Sequence, residues 1–137
     1  MMNPHVSVIT LGVRDLPRAR RFYAEGLGWP LEQDYPQWVS FKMGEGSSTL
    51  GLYPLDASAA DAGLAADGQG FRGVTLNYLV RSEARVAEVL AEAEQAGATI
   101  AKPAEPSPWG GSSGFFTDPD GYLWKVASGT GDAPFAE

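Results

Sequence analysis

The chain contains no cysteine. That excludes disulfides, thiolate metal sites and cysteine nucleophiles, and it agrees with a reducing cytosol. Histidine is almost as scarce, His5 being the only one. A centre of two histidines and a carboxylate therefore cannot be built from a single copy of the chain. No apolar run approaches the roughly 20 residues that span a bilayer. Residues 1–13 lack the basic start and long apolar stretch of a secretion signal. A cytoplasmic protein with no membrane partner is expected. Positive charge is also thin, with 10 Lys and Arg against 17 Asp and Glu for a net charge of −7. Nucleic acid is disfavoured as a partner, because phosphate binding rests on clustered Lys and Arg. The one local basic group, Arg14, Arg18, Arg20 and Arg21, reads as a solvated helix face. Nucleophile elbows, phosphate loops and dinucleotide fingerprints are missing. Gly110-Gly111 lacks the strand–turn–helix context such motifs need. No cofactor is expected.

What remains is an ordinary globular balance, 44% hydrophobic and 20% charged residues in a chain of 137, long enough to bury a core without staples. Val6–Val13 is β-branched and apolar and predicts a strand. Asp15 is a good N-cap, and Pro17 fits the first turn of a helix over Leu16–Glu25, stopped by Gly26 and Gly28. Short strands are expected at Leu31–Gln33, Trp38–Met43 and Thr49–Tyr53. The Ala-, Gly- and Asp-rich residues 55–72 read as a linker with one short helical turn around Ala59–Ala65. The pattern then restarts. Val74–Val80 predicts a strand, Ser82 an N-cap, and Glu83–Ala96 an amphipathic helix closed by Gly97. Strands follow at Thr99–Ala101, Gly114–Thr117 and Tyr122–Val126, and residues 128–137 are expected to fray.

The order β-α-β-β-β thus occurs twice, with Val13-Arg14-Asp15 before the first helix and Val80-Arg81-Ser82 before the second. A repeat of this length fixes the architecture. It predicts an α+β protein in which two modules, 6–54 and 73–127, make one domain over 1–127. Here the sequence resembles the vicinal-oxygen-chelate superfamily, which includes glyoxalases, bleomycin-resistance proteins and dioxygenases. The strings that carry the resemblance are Leu11-Gly12-Val13-Arg14-Asp15-Leu16, Arg21-Phe22-Tyr23, Gly26-Leu27-Gly28, Ala96-Gly97-Ala98 and Phe116-Thr117-Asp118-Pro119-Asp120-Gly121-Tyr122. The resemblance implies paired βαβββ modules that form a glyoxalase-like cup with the helices on its outer face. It also implies a homodimer.

The resemblance further implies a divalent metal held by His, Glu or Gln from the first, fourth, fifth and eighth strands. The matching positions here are Val8, Gly51, Thr75 (Val74 if the register is one residue off) and Lys125. Valine and glycine side chains offer no lone pair, and neither does a protonated lysine. No metal is expected at these positions. Strand alternation puts Tyr53 on the face of Gly51, Asn77 on that of Thr75, and Leu123 on that of Lys125, with Trp124 turned toward a helix. Trp38 and Ser40 are expected on the inner face, and Trp109 on a glycine-rich loop above it. The candidate ligand-binding residues are therefore Trp38, Tyr53, Thr75, Asn77, Trp109 and Lys125, and no catalytic residue is singled out. Lys125 has three readings: a salt bridge to a rim carboxylate, an anchor for an anionic ligand, or a Schiff-base or general-base lysine.

Three functions follow. One is a small-molecule-binding protein of the superfamily without the usual metal ligands, sequestering a ligand as resistance proteins do. Another is a metal-dependent lyase, isomerase or dioxygenase, whose ligands would have to come from a set such as His5 with Glu25, Glu32 or Glu45. The third is a metal-free enzyme using Lys125 or Tyr53.

Overall fold

The computed structural model describes residues 1–137 apart from Asp67, Gln69, Gly73, Trp109 and Asp132. The chain divides into two compact units, Met1–Asp67 and Gly68–Glu137. The first runs β1 (Val8–Val13), α1 (Leu16–Arg20), β2 (Leu31–Tyr35), β3 (Trp38–Phe41), β4 (Thr49–Pro54) and α2 (Leu55–Ala62). The second runs β5 (Thr75–Val80), α3 (Glu83–Ala96), β6 (Thr99–Pro106), β7 (Ser112–Thr117) and β8 (Leu123–Ser128). Each unit folds its strands into one four-stranded sheet, ordered β1-β4-β3-β2 and β5-β8-β7-β6. The first and last strands of each set pair in parallel and the rest antiparallel. Among the described residues no helix is long and apolar enough to cross a membrane.

Local chemistry accounts for the helices. Asp15 accepts from Arg18 N at 3.0 Å, and Ser82 accepts from Arg85 N at 3.2 Å, so each repeat starts its helix with a side-chain cap. Beyond Arg20 the first helix widens into a π-helical turn over Arg21–Gly26. The wider turn carries both Phe22 and Tyr23 inward, where Tyr23 meets Trp29 at 5.4 Å and Phe41 at 5.7 Å between ring centroids. These rings pack with Leu11, Val13, Val39, Leu50 and Leu52, all buried, as the core of the first unit. Arg20 ties the helix to β2 by a two-point ion pair with Asp34, at 3.1 and 2.7 Å. The guanidinium holds the Asp34 carboxyl below its usual range.

In the second unit α3 lays Val86, Leu90 and Ala93 against its sheet, where Val126 is fully buried and Trp124 stacks on Phe116 at 6.0 Å. Gly114 makes this approach possible, since a Cβ there would lie 2.4 Å from Leu90 Cδ1. Gly97 ends α3 at φ 118, a left-handed turn open to glycine.

Three expectations change. The linker opens with a true helix, α2, that begins at Leu55 directly behind Pro54 and ends at Gly63. Its anchor is Leu55, which lies over Gly12 so closely that a Cβ on Gly12 would meet Leu55 Cδ1 at 2.9 Å. β6 runs on to Pro106 instead of stopping at Ala101. It tolerates Pro103 and Pro106 because it is an edge strand, with register shifts between Ile100 and Lys102 and between Lys102 and Glu105. The tail is docked at its far end. Ala136 N donates to Leu79 O at 2.9 Å, Arg81 lies 4.1 Å from the Phe135 ring centre, and the Glu137 side chain accepts from Tyr78 Oη at 2.6 Å and from Arg85 Nε at 2.5 Å. Side-chain partners on β5 and α3 supply what composition alone could not reveal.

Candidate ligand-binding faces

The two sheets repeat each other residue by residue. In the first, Thr10 on β1 pairs with Gly51 on β4, Gly51 with Ser40 on β3, and Ser40 with Gln33 on β2. In the second, Asn77 on β5 pairs with Lys125 on β8, Lys125 with Phe115 on β7, and Phe115 with Lys102 on β6. Neighbours across a sheet share a face, so each row lies on one face. That face is turned away from α1 in the first unit and away from α3 in the second, because the alternate residues carry the buried cores.

The two rows hold different chemistry. In the first unit the Trp38 ring lies across Gly51, and a Cβ at position 51 would fall 2.1 Å from Cη2, 2.6 Å from Cζ2 and 2.8 Å from Cζ3. Gln33 fixes this pose. Its Oε1 accepts from Trp38 Nε1 at 2.8 Å and from the buried Ser40 hydroxyl at 3.1 Å. Tyr53, two residues along β4, meets Trp38 edge to face at 6.2 Å. The result is an aromatic wall of two half-buried rings with the polar groups of Gln33 beside it.

In the second unit Lys125 is half-buried with its Nζ 5.7 Å from the Phe115 ring centre. Asn77 stands beside it in register and donates a long bond, 3.3 Å, to Thr75 O. Thr75 is on the same strand face, opposite Leu123. Among the described residues no carboxylate lies within ion-pair reach of Lys125.

The structure thus brings Trp38 and Tyr53 together in the first unit, and Thr75, Asn77 and Lys125 together in the second. Trp109 lies outside the described residues. Gln33 and Phe115 are contributions that the strand patterns did not single out. Gln33 was within reach: a two-residue turn at Pro36-Gln37 sets Tyr35 against Trp38 and hence Gln33 against Ser40.

The four positions that the resemblance assigns to a metal can be tested against these geometries. Val8 has a hydrocarbon side chain. Gly51 has none, and the indole of Trp38 fills the space a ligating side chain there would need. Thr75 offers one hydroxyl, and Lys125 brings a positive charge. This donor set does not fit a divalent ion. His5 is exposed and lies ahead of β1, and among the described residues no three His, Asp or Glu side chains gather at one point.

Residues 5–126 match the family model described as the Glyoxalase/Bleomycin resistance protein/Dioxygenase superfamily. Among solved structures, a glyoxalase-related enzyme from Fulvimarina pelagi is 32% identical, with a TM-score of 0.84 over 93% of this chain and 89% of that one. A lactoylglutathione lyase from Agrobacterium tumefaciens is 26% identical, with a TM-score of 0.70 over 93% and 96%. A glyoxalase/bleomycin resistance protein/dioxygenase from Nocardioides is 19% identical, with a TM-score of 0.78 over 97% and 88%, and shares the fold. A search of curated proteins gave no match.

Proposed function

We propose, from the premise that the chain belongs to the glyoxalase/bleomycin resistance protein/dioxygenase superfamily, that it binds an organic small molecule on the strand faces that metal-dependent members use for their ion. One observation carries the reading: Trp38 is laid over Gly51 and tethered there by Gln33. A flat, half-buried aromatic surface with a few directed polar groups is what small organic ligands select. The same ring closes one of the four positions at which a metal would need a donor. Binding that serves to sequester a compound needs nothing further from the chain.

The second reading is a metal-dependent enzyme. It draws support from the likeness to a glyoxalase-related enzyme and to a lactoylglutathione lyase. On that reading the metal would have to be held by residues outside the family positions.

The test is a panel of planar aromatic compounds titrated against tryptophan fluorescence in the native protein and in Trp38→Leu. The binding reading expects saturable quenching by some members of the panel and at least a tenfold loss of affinity in the variant. Equal affinity in both proteins would overturn it. Metal-dependent turnover of lactoylglutathione would favour the second reading.

A further inference from the structure

We infer that Lys125 is the anchor for a carboxylate on the ligand, so that the second sheet recognises organic anions by an ammonium group at a position where the superfamily places a metal ligand. This rests on the ligand-binding reading above for its setting, but not for its geometry.

Strands β5, β6, β7 and β8 contain a single carboxylate, Glu105. Lys102 holds it at 2.9 Å, out on the edge strand. The sheet therefore carries two ammonium groups and one carboxylate, and the carboxylate is already paired with the outer lysine. Lys125 sits on β8 between β5 and β7, inside the sheet rather than at its edge. Its position is half-buried, where an ammonium group gives up part of its hydration. The Phe115 ring beneath it compensates in part, since a cation over an aromatic face is attracted without being neutralised. The carboxylate on this face, Glu105 opposite Ser113 on the edge strand, is held by Lys102, so an anion arriving beside Lys125 meets no unpaired carboxylate of the four strands.

The neighbours suit a carboxylate in particular. Asn77, in register with Lys125, carries an amide with two N–H donors, and the bond it donates to Thr75 O is long. An ammonium and an amide N–H side by side can each take one oxygen of a carboxylate. Leu123 and Phe115, on the same face, give the rest of an organic anion an apolar surface. Gly51, the counterpart of Lys125 in the first sheet, has no side chain and is covered by Trp38. The two modules thus present an aromatic wall at one position and a cation at its equivalent.

The chain has three lysines, Lys42, Lys102 and Lys125, so lysine labelled with carbon-13 at Cε gives three signals that substitution can assign. We would titrate the labelled protein with sodium benzoate, benzamide and sodium chloride at matched ionic strength. A saturable shift of the Lys125 signal with benzoate, absent with chloride and absent at Lys42 and Lys102, is the expected result. Benzoate should bind at least tenfold more tightly than benzamide, and Asn77→Ala should weaken benzoate binding and narrow that preference. A Lys125 signal that follows chloride as it follows benzoate, or that does not saturate, overturns the inference. Equal affinity for benzoate and benzamide overturns it too, yet leaves the small-molecule reading standing, because that reading is judged by Trp38 quenching and not by charge.

Discussion

Replacing Gly51 with alanine should destabilise the protein, and the same replacement should stabilise it once Trp38 has been removed. The added methyl would lie 2.1 Å from Trp38 Cη2, so the rigid indole must swing away. Leaving its pose breaks the Nε1–H bond to Gln33, worth about 1 kcal/mol net. It also separates the edge-to-face pair with Tyr53, worth about 0.5–1.5 kcal/mol. Against this stands a gain of about 0.4–1 kcal/mol from the stiffer unfolded chain, because Gly51 has no left-handed backbone angle to protect. The net cost of Gly51→Ala is therefore about 0.5–2 kcal/mol. In a Trp38→Ala background only the gain remains, and the sign reverses. Urea unfolding followed by far-ultraviolet circular dichroism on the four proteins of this cycle gives the coupling directly, with about 2 kcal/mol expected. Equal effects of Gly51→Ala in the two backgrounds would refute the claim that Trp38 fills the space above Gly51.

Two further predictions concern the second unit. Gly114→Ala drives a methyl to 2.4 Å from Leu90 Cδ1 and 3.0 Å from the Lys102 carbonyl oxygen, so it should lower stability by about 1–3 kcal/mol in thermal unfolding. A companion Leu90→Ala cannot restore it, because the backbone of β6 stays in the way. Glu137 supplies the pH dependence. Arg85 and then Tyr78 hold its carboxyl below the usual glutamate value of 4.5, while burial pushes the Tyr78 hydroxyl up to about 12 with help from Glu137. A carboxyl whose folded pKa is depressed stabilises the fold above its unfolded pKa, and that contribution disappears as the pH falls through the folded value. Glu137→Gln should therefore cost about 1 kcal/mol or less at neutral pH, in keeping with a surface ion pair. Its denaturation midpoint should merge with that of the native protein in acid. A difference that persists in acid would show that the carboxylate charge is not what docks the tail.

The features that were legible in the chain are those set by local chemistry. Val13-Arg14-Asp15 and Val80-Arg81-Ser82 announce the repeat, and Asp15 and Ser82 cap their helices as their side chains dictate. Glu83–Ala96 could be placed from its apolar spacing and Gly97. The features that could not be read depend on partners far along the chain. β6 outruns the stretch expected of it because prolines argue against a strand unless that strand lies at an edge, as this one does. The helix behind Pro54 depends on Leu55 finding the bare backbone of Gly12. At the candidate site, the residue types at positions 8, 51, 75 and 125 already spoke against a metal. That Trp38 closes over Gly51 could not be foreseen, because it needs the pairing of Ser40 with Gly51 and a side-chain pose set by Gln33. The place of Lys125 over Phe115 likewise follows from the pairing of β7 with β8.

The central claim is that the superfamily's metal positions have become a surface for organic ligands. The most direct test is the metal content of untagged protein by mass spectrometry, as purified and after incubation with manganese, iron, nickel or zinc followed by desalting. The tag must be absent, because His5 is the chain's only histidine. The account predicts metal far below one ion per chain under every condition. A retained ion near one per chain would contradict it and would turn attention to His5 and the carboxylates Glu25, Glu32 and Glu45 as the ligands.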